Sequence, residues 1–203
     1  MWYLFTLIAL VGNLLPVSVL ANGRCIQYIQ DVRTEHFRIF GIYYPYHYAV
    51  GQLEQESNCR NIVSNDGVGS LGIAQITWKV WGKYLTANGI PNLVETRNQL
   101  RAQALINKNV WGQTKPKKLW VAFQIYNGGP LVLKEITKAG VVQQNDYFSL
   151  WAAAKDQCKR KTITFSSGQK INACDINYDY SQKIFEYGDQ YRIGPDSDKF
   201  KFW

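Results

Sequence analysis

Apolar positions recur along most of the chain at the spacing of helices. Residues 26–39 make a polar amphipathic stretch, and Pro45 precedes a helix predicted over 46–57. Gly, Ser, Asn and Asp crowd residues 61–71, which predicts a loop. The segment 75–85 carries Trp78, Val80, Trp81 and Tyr84, a helix with an aromatic face that stops at Asn88-Gly89-Ile90-Pro91. Leu100, Ala104 and Leu105 set a helical period within 94–109. Another helix is expected over 118–125, stopping at Asn127-Gly128-Gly129-Pro130, and 131–138 and 147–158 read as further helices. The stretch "KRKTITFSSGQKINA" alternates like two short strands around a Ser-Gly turn, and "YDYSQKIFEYG" predicts a terminal helix ended by Gly188. With no repeat and no long linker, the pattern predicts one α+β domain, mainly α-helical, with a small β-hairpin.

The first twenty residues change this picture, because they hold no charged side chain and are followed by small residues around Ala21. Residues 1–21 therefore read as a signal peptide or N-terminal anchor, and 22–203 as the folded domain. Export to the periplasm, the cell envelope or the medium is expected, with membrane attachment through 1–20 as the alternative to cleavage. Cysteine usage agrees. Four cysteines, at 25, 59, 158 and 174, allow three pairings in an oxidising compartment. Cys158 and Cys174 bracket the predicted hairpin, which favours that pair and leaves Cys25 with Cys59. No Cys-x-x-Cys spacing occurs and the histidines are His36 and His47 alone, so neither a metal site nor a cofactor is expected.

Apolar residues form 46% of the chain and charged residues 19%, enough to bury a core. Aromatics reach 14%, so beyond the core some rings are available to line a groove. A net charge of +8, with basic clusters at Lys115-Lys117-Lys118 and Lys159-Arg160-Lys161, favours an anionic partner. No nucleic-acid-binding module is present to make that partner DNA or RNA.

Candidate chemistry concentrates in "QLEQESNCRNIVSNDGVGSLGIAQIT", residues 52–77. At about 100° per residue from Ala49, Glu56 falls at about 340° beside Leu53, on the apolar stripe. Glu54 falls at about 140° with Val50 and Asn58, which predicts a solvated surface acid. A carboxyl on the core side either pairs with a Lys or Arg or has its pKa raised by desolvation, as a general acid requires.

Glu56-Ser57, then Gly72-Ile73-Ala74-Gln75, then Tyr126-Asn127-Gly128-Gly129-Pro130 resemble in order and spacing the motifs of the soluble lytic transglycosylase catalytic domain, in the lysozyme-like superfamily. Tyr180-Ser181-Gln182-Lys183-Ile184 resembles that family's last segment, and the likeness spans about residues 40–190. Gly-Ile-Ala-Gln stands where the family has Gly-Leu-Met-Gln, and Ile125 and Gly128 stand where it has alanines. The resemblance implies cleavage of the MurNAc–GlcNAc bond of peptidoglycan by one acid, Glu56, with a 1,6-anhydro product. It implies that Ser57, Gln75, Tyr126, Asn127 and Tyr180 hold the substrate or the acid. Three other readings stay open. Asp66 could position a water and make the enzyme a hydrolytic lysozyme, a wall-binding protein could keep the scaffold without turnover, and Tyr126 could be an ordinary core ring. A Ser-His-Asp hydrolase is not supported, since no nucleophile elbow occurs.

Overall fold

Residues 23–64, 69–114, 117–138, 162–164, 167–172 and 179–192 are described by a computed structural model. Asp66, the predicted helix at 147–158, Cys158, Cys174 and the N-terminal segment lie outside the described residues.

The short α1 (Gly23–Ile26) and α2 (Ile29–Phe40) lead into α3 (Tyr46–Ser57), whose bounds match the predicted helix. Two successive left-handed residues end α3: Asn58 at φ 54° returns its N–H to the Glu54 carbonyl, and Cys59 at φ 54° returns its N–H to that of Leu53. This wraps the orphan carbonyls of the last turn. A Cys25–Cys59 disulfide then ties α1 to this exit, as the favoured pairing has it.

β1 (Ser70–Leu71) and β2 (Ile76–Thr77) pair antiparallel, Ser70 opposite Thr77 and Leu71 opposite Ile76. Two expectations are corrected here. Residues 61–71 are not simply a loop, because Val63 bridges Leu71 and Ser70 enters a strand. The helix expected from residue 75 starts later, as α4 (Trp78–Ala87), because Ile76 and Thr77 are taken up by strand pairing. Polar composition hid a hairpin whose core contribution is two residues long.

α5 (Thr96–Gln113) runs four residues beyond the expected end. α6 (Leu119–Lys138) joins the two helices expected at 118–125 and 131–138, with a break at Gly129, whose φ of 65° and ψ of −159° are closed to a side-chain-bearing residue. β3 (Thr162–Thr164) and β4 (Lys170–Asn172) form the predicted hairpin around Ser167-Gly168. The last helix, α7 (Tyr180–Asp189), lies where the sequence predicts it but includes Gly188, the expected terminator, as a residue of its buried face. The fold is α+β and mainly α-helical, and among the described residues no helix is long and apolar enough to cross a membrane.

α3 is the central element. It packs on α2 and α7, while α5 packs on α2 and α6. Eight of its twelve residues are buried, Val50 among them, so it has no single apolar stripe. The α3–α7 contact is backbone on backbone. A Cβ on Gly51 would come within 2.5 Å of the Gly188 nitrogen, and one on Gly188 within 2.5 Å of the Tyr48 ring. Two glycines at the crossing let these helices approach closely enough to share one site.

Candidate active site

Three of the predicted site residues converge on one turn. Residues 72–75 are the turn of the β1–β2 hairpin, and its three consecutive carbonyls are each held by a motif side chain. Gln75 donates through Nε2 to the Gly72 carbonyl at 2.7 Å and to the Ile62 carbonyl at 3.1 Å. Ser57 donates its hydroxyl to the Ile73 carbonyl at 2.8 Å, and Tyr126 donates to the Ala74 carbonyl at 2.9 Å. From the other side, the Ile73 N–H is accepted by Gln99 Oε1 at 2.9 Å. Buried backbone groups need such partners.

The turn also explains its own residues. Gly72 sits at φ 77°, and a Cβ there would run into the Gln99 carboxamide. Ile73 and Ala74 are fully buried, and Gln75 takes a left-handed φ of 47° to bring its side chain back over the turn. Ser57 is itself buried and accepts from the Arg60 N–H at 3.1 Å, locking the exit of α3 to the hairpin.

Beside this turn lies Glu56, on the last turn of α3. Glu56 keeps partial exposure, so a ligand can reach it, yet protein crowds its carboxyl. Burial raises that carboxyl to about 8, and a hydrogen bond donated by the Tyr180 hydroxyl to Oε1 pulls the other way. Tyr180 comes from the first position of α7, so the close α3–α7 crossing is what brings phenol and acid together. Burial pushes the Tyr180 and Tyr126 phenols well above their usual range, and the negative charge of Glu56 adds to both. Both rings therefore stay protonated beside the acid. No ion pair reaches Glu56 among the described residues, so the buried salt bridge the sequence left open is not formed there.

Glu54 corrects an expectation. It is half-buried and accepts a hydrogen bond from the Tyr191 hydroxyl at 2.6 Å. The helical phase placed it on a solvated face, but α3 is enclosed on most sides and the chain past α7 folds back over it. Asn127 is exposed one residue beyond Tyr126 on α6.

A cleft of about 470 Å³ opens beside the hairpin, with Trp78, Leu71, Val63 and Val94 on its apolar walls and Asn61, Asn92 and Gln99 at its polar edge. It shares Gly72 with the turn, but Glu56 is not in its lining. The cleft opens on the hairpin, and the acid on α3 lies outside it, beside the turn.

Polar residues that the sequence reading passed over lie behind the acid. Gln99, Gln103 and Asn107 recur every four residues on α5 and are all buried, a stripe readable from spacing alone. Gln52, one turn before Glu56, is fully buried and accepts from Gln103 Nε2 and from Asn107 Nδ2, each at 2.9 Å. His36 on α2 continues the array, with Nδ1 bonded to the Val32 carbonyl at 2.9 Å and Nε2 3.4 Å from Asn107 Nδ2. Burial lowers His36 to about 4, so the ring is neutral. Among the described residues no cluster of three or more His, Cys, Asp or Glu gathers as metal ligands. No family model, no curated protein and no solved structure matches this chain.

Proposed function

We propose that the protein is a peptidoglycan lytic transglycosylase: an exported enzyme on a lysozyme-like scaffold that cleaves the MurNAc–GlcNAc β-1,4 bond with Glu56 as its single acid and base. The observation that carries this reading is a reachable glutamate whose carboxyl, raised to about 8 by burial, is largely protonated at neutral pH and is flanked by two protonated phenols. A general acid has to start in that state. The motif resemblance supports the substrate class, and the net charge of +8 suits an anionic wall polymer.

In this scheme Glu56 gives its proton to the glycosidic oxygen and the C1–O bond breaks. The resulting carboxylate, stabilised by the Tyr180 O–H, then removes the proton of the muramoyl C6 hydroxyl as that oxygen attacks C1. The acid is restored, no water is consumed, and the product carries a 1,6-anhydro end. Only one protein carboxylate is needed, unlike the paired-carboxylate scheme. Among the described residues no second carboxylate contributes to the proton affinity of Glu56. The turn held by Ser57, Gln75 and Tyr126 serves as the rigid wall against which the strand is placed.

Digestion of purified peptidoglycan with mass analysis of the fragments tests the proposal. Anhydro ends, one water lighter than reducing ends, are expected from the wild type, and Glu56→Gln is expected to lower release by about 100-fold or more. Reducing ends would assign the site to a hydrolase, and no release at all would make the protein a wall binder.

A further inference from the structure

Three amide atoms behind the acid, Gln52 Nε2, Gln103 Oε1 and Asn107 Oδ1, are buried without a hydrogen-bond partner among the described residues, and the first of them acts on the acid's own partner, Tyr180. Gln52, Gln103, Asn107 and His36 have essentially no exposure, an environment in which each unpaired polar group costs stability. The two α5 donors both land on Gln52 Oε1. That fixes which end of the Gln52 amide is oxygen, because Gln103 Nε2 also donates to the Ala49 carbonyl at 2.9 Å and so must be a nitrogen, from which the Gln52 nitrogen could not accept. The nitrogen is thereby turned away from α5. It is shut off from solvent, and, at a geometry short of a full hydrogen bond, it acts on the Tyr180 phenol as a donor does, favouring the phenolate.

A phenol has one hydrogen to give and lone pairs with which to accept. Tyr180 gives its hydrogen to Glu56 Oε1. If the phenol instead accepted from Glu56 and donated to Gln52, the hydrogen of Tyr180 would meet an N–H head-on. The α5 amides exclude that arrangement two residues removed from the acid.

We propose that Gln52 is a positioning residue, oriented by Gln103 and Asn107, that makes the Tyr180 hydroxyl an obligate donor to Glu56 Oε1 and so leaves Oε2 as the oxygen that carries the acid's proton. The catalytic meaning of this rests on the reading of Glu56 as the acid. The proton-bearing oxygen is then selected before substrate binds, by an array that never touches the sugar. The array also explains why polar residues at every fourth position of α5 occupy core sites that leucine would fill at lower desolvation cost. The titratable groups facing Glu56 are Tyr180 from α7 and Tyr126 from α6, while Glu54 on its own helix is bonded to Tyr191.

The test follows Glu56 directly, by titrating its side-chain carboxyl in protein labelled with ¹³C at the glutamate carboxyl carbon. Substitutions Gln52→Met, Tyr180→Phe and the pair are compared with wild type. Loss of the Tyr180 donor removes a bond that favours the carboxylate, so Tyr180→Phe is expected to raise the Glu56 pKa by about 1 unit. Gln52→Met, acting through Tyr180, is expected to raise it by about 0.5 unit in the wild-type background and not at all in the Tyr180→Phe background. An equal shift in both backgrounds, or none in either, overturns the proposal. Tyr180→Phe guards against a misfolded methionine variant, since it removes only the phenol oxygen and leaves Gln52 in place. It is expected to move the ¹⁵N and ¹H resonances of the Gln52 side-chain amide, and a folded Tyr180→Phe protein in which they are unmoved overturns the proposal too. Because the titration needs no substrate, a failure of peptidoglycan cleavage would refute the enzymatic reading and leave the Gln52 result standing.

Discussion

Two glutamates two positions apart on α3 differ by what α7 brings to each. Tyr180 reaches Glu56 from the first position of α7, and Tyr191, just past its end, reaches Glu54. At Glu56 burial raises the carboxyl to about 8. Under the proposed function the free protein must hold that proton to act, so kcat/KM for peptidoglycan is expected to be level through neutral pH and to fall as pH rises through about 8. In Tyr180→Phe the fall moves to higher pH, because the bond that stabilises the carboxylate is gone. Glu54→Gln keeps a carbonyl for Tyr191 and is expected to leave the profile unchanged, with at most about 1 kcal/mol lost in a urea titration. A lost profile in Glu54→Gln with an intact one in Glu56→Gln would reverse the assignment. The sequence picked out Glu56, but by an argument the fold does not sustain. Helical phase assumed a one-sided helix, whereas Val50 and Gly51 are as buried as Leu53. What distinguishes Glu56 is the burial of its carboxyl beside Tyr180 and Tyr126, residues the motif resemblance named and periodicity could not.

Between elements, the decisive contact is the crossing of α3 and α7 at Gly51 and Gly188. No side chain of any size fits there, since a Cβ on either glycine meets backbone or ring atoms of the facing helix. Gly51→Ala or Gly188→Ala therefore has to push the helices apart, and strain of this kind costs about 1–3 kcal/mol. The expected outcome is a lowered urea midpoint together with a loss in kcat larger than the change in KM, since a shift of Tyr180 by about 1 Å spoils its alignment on Glu56. A variant that loses stability yet keeps kcat would mean the crossing serves packing alone. Helix existence was legible throughout, because long periodic segments such as 46–57 and 96–113 carry strong signals. The β1–β2 hairpin was not. Its strands are two residues each, and its turn, 72–75, was read as a motif and not as the turn of a hairpin. The resemblance implies that Ser57, Gln75 and Tyr126 hold the substrate or the acid, and the structure shows them bonded to the carbonyls of that turn. Spacing alone brings such residues into view without saying which atoms they meet.

For the molecule as a whole, two buried groups of opposite kind set how stability depends on pH. Glu56 binds its proton more tightly folded than unfolded, about 8 against an ordinary 4.5. Its contribution is present in full below pH 4.5 and is lost as pH rises through 8. His36 binds its proton less tightly folded, about 4 against 6.5, so stability is lost as pH falls from 6.5 to 4. Their slopes oppose one another between pH 4.5 and 6.5, and above 6.5 the Glu56 slope is no longer offset by His36. The melting temperature is thus expected to be nearly level across the lower window and to decline toward pH 8. Glu56→Gln keeps an acceptor for Tyr180 but cannot ionise. It is expected to abolish the decline, to raise the midpoint at pH 8 by about 5 °C, corresponding to about 2 kcal/mol once the partial exposure of the side chain is allowed for, and to uncover the His36 slope below pH 6.5. An inactive variant more stable than its parent is what a site maintained against the stability of the fold should give. If Glu56→Gln instead melts below wild type at pH 8, the carboxylate is a stabilising group, its proton affinity is not raised, and the acid role argued for it fails with it.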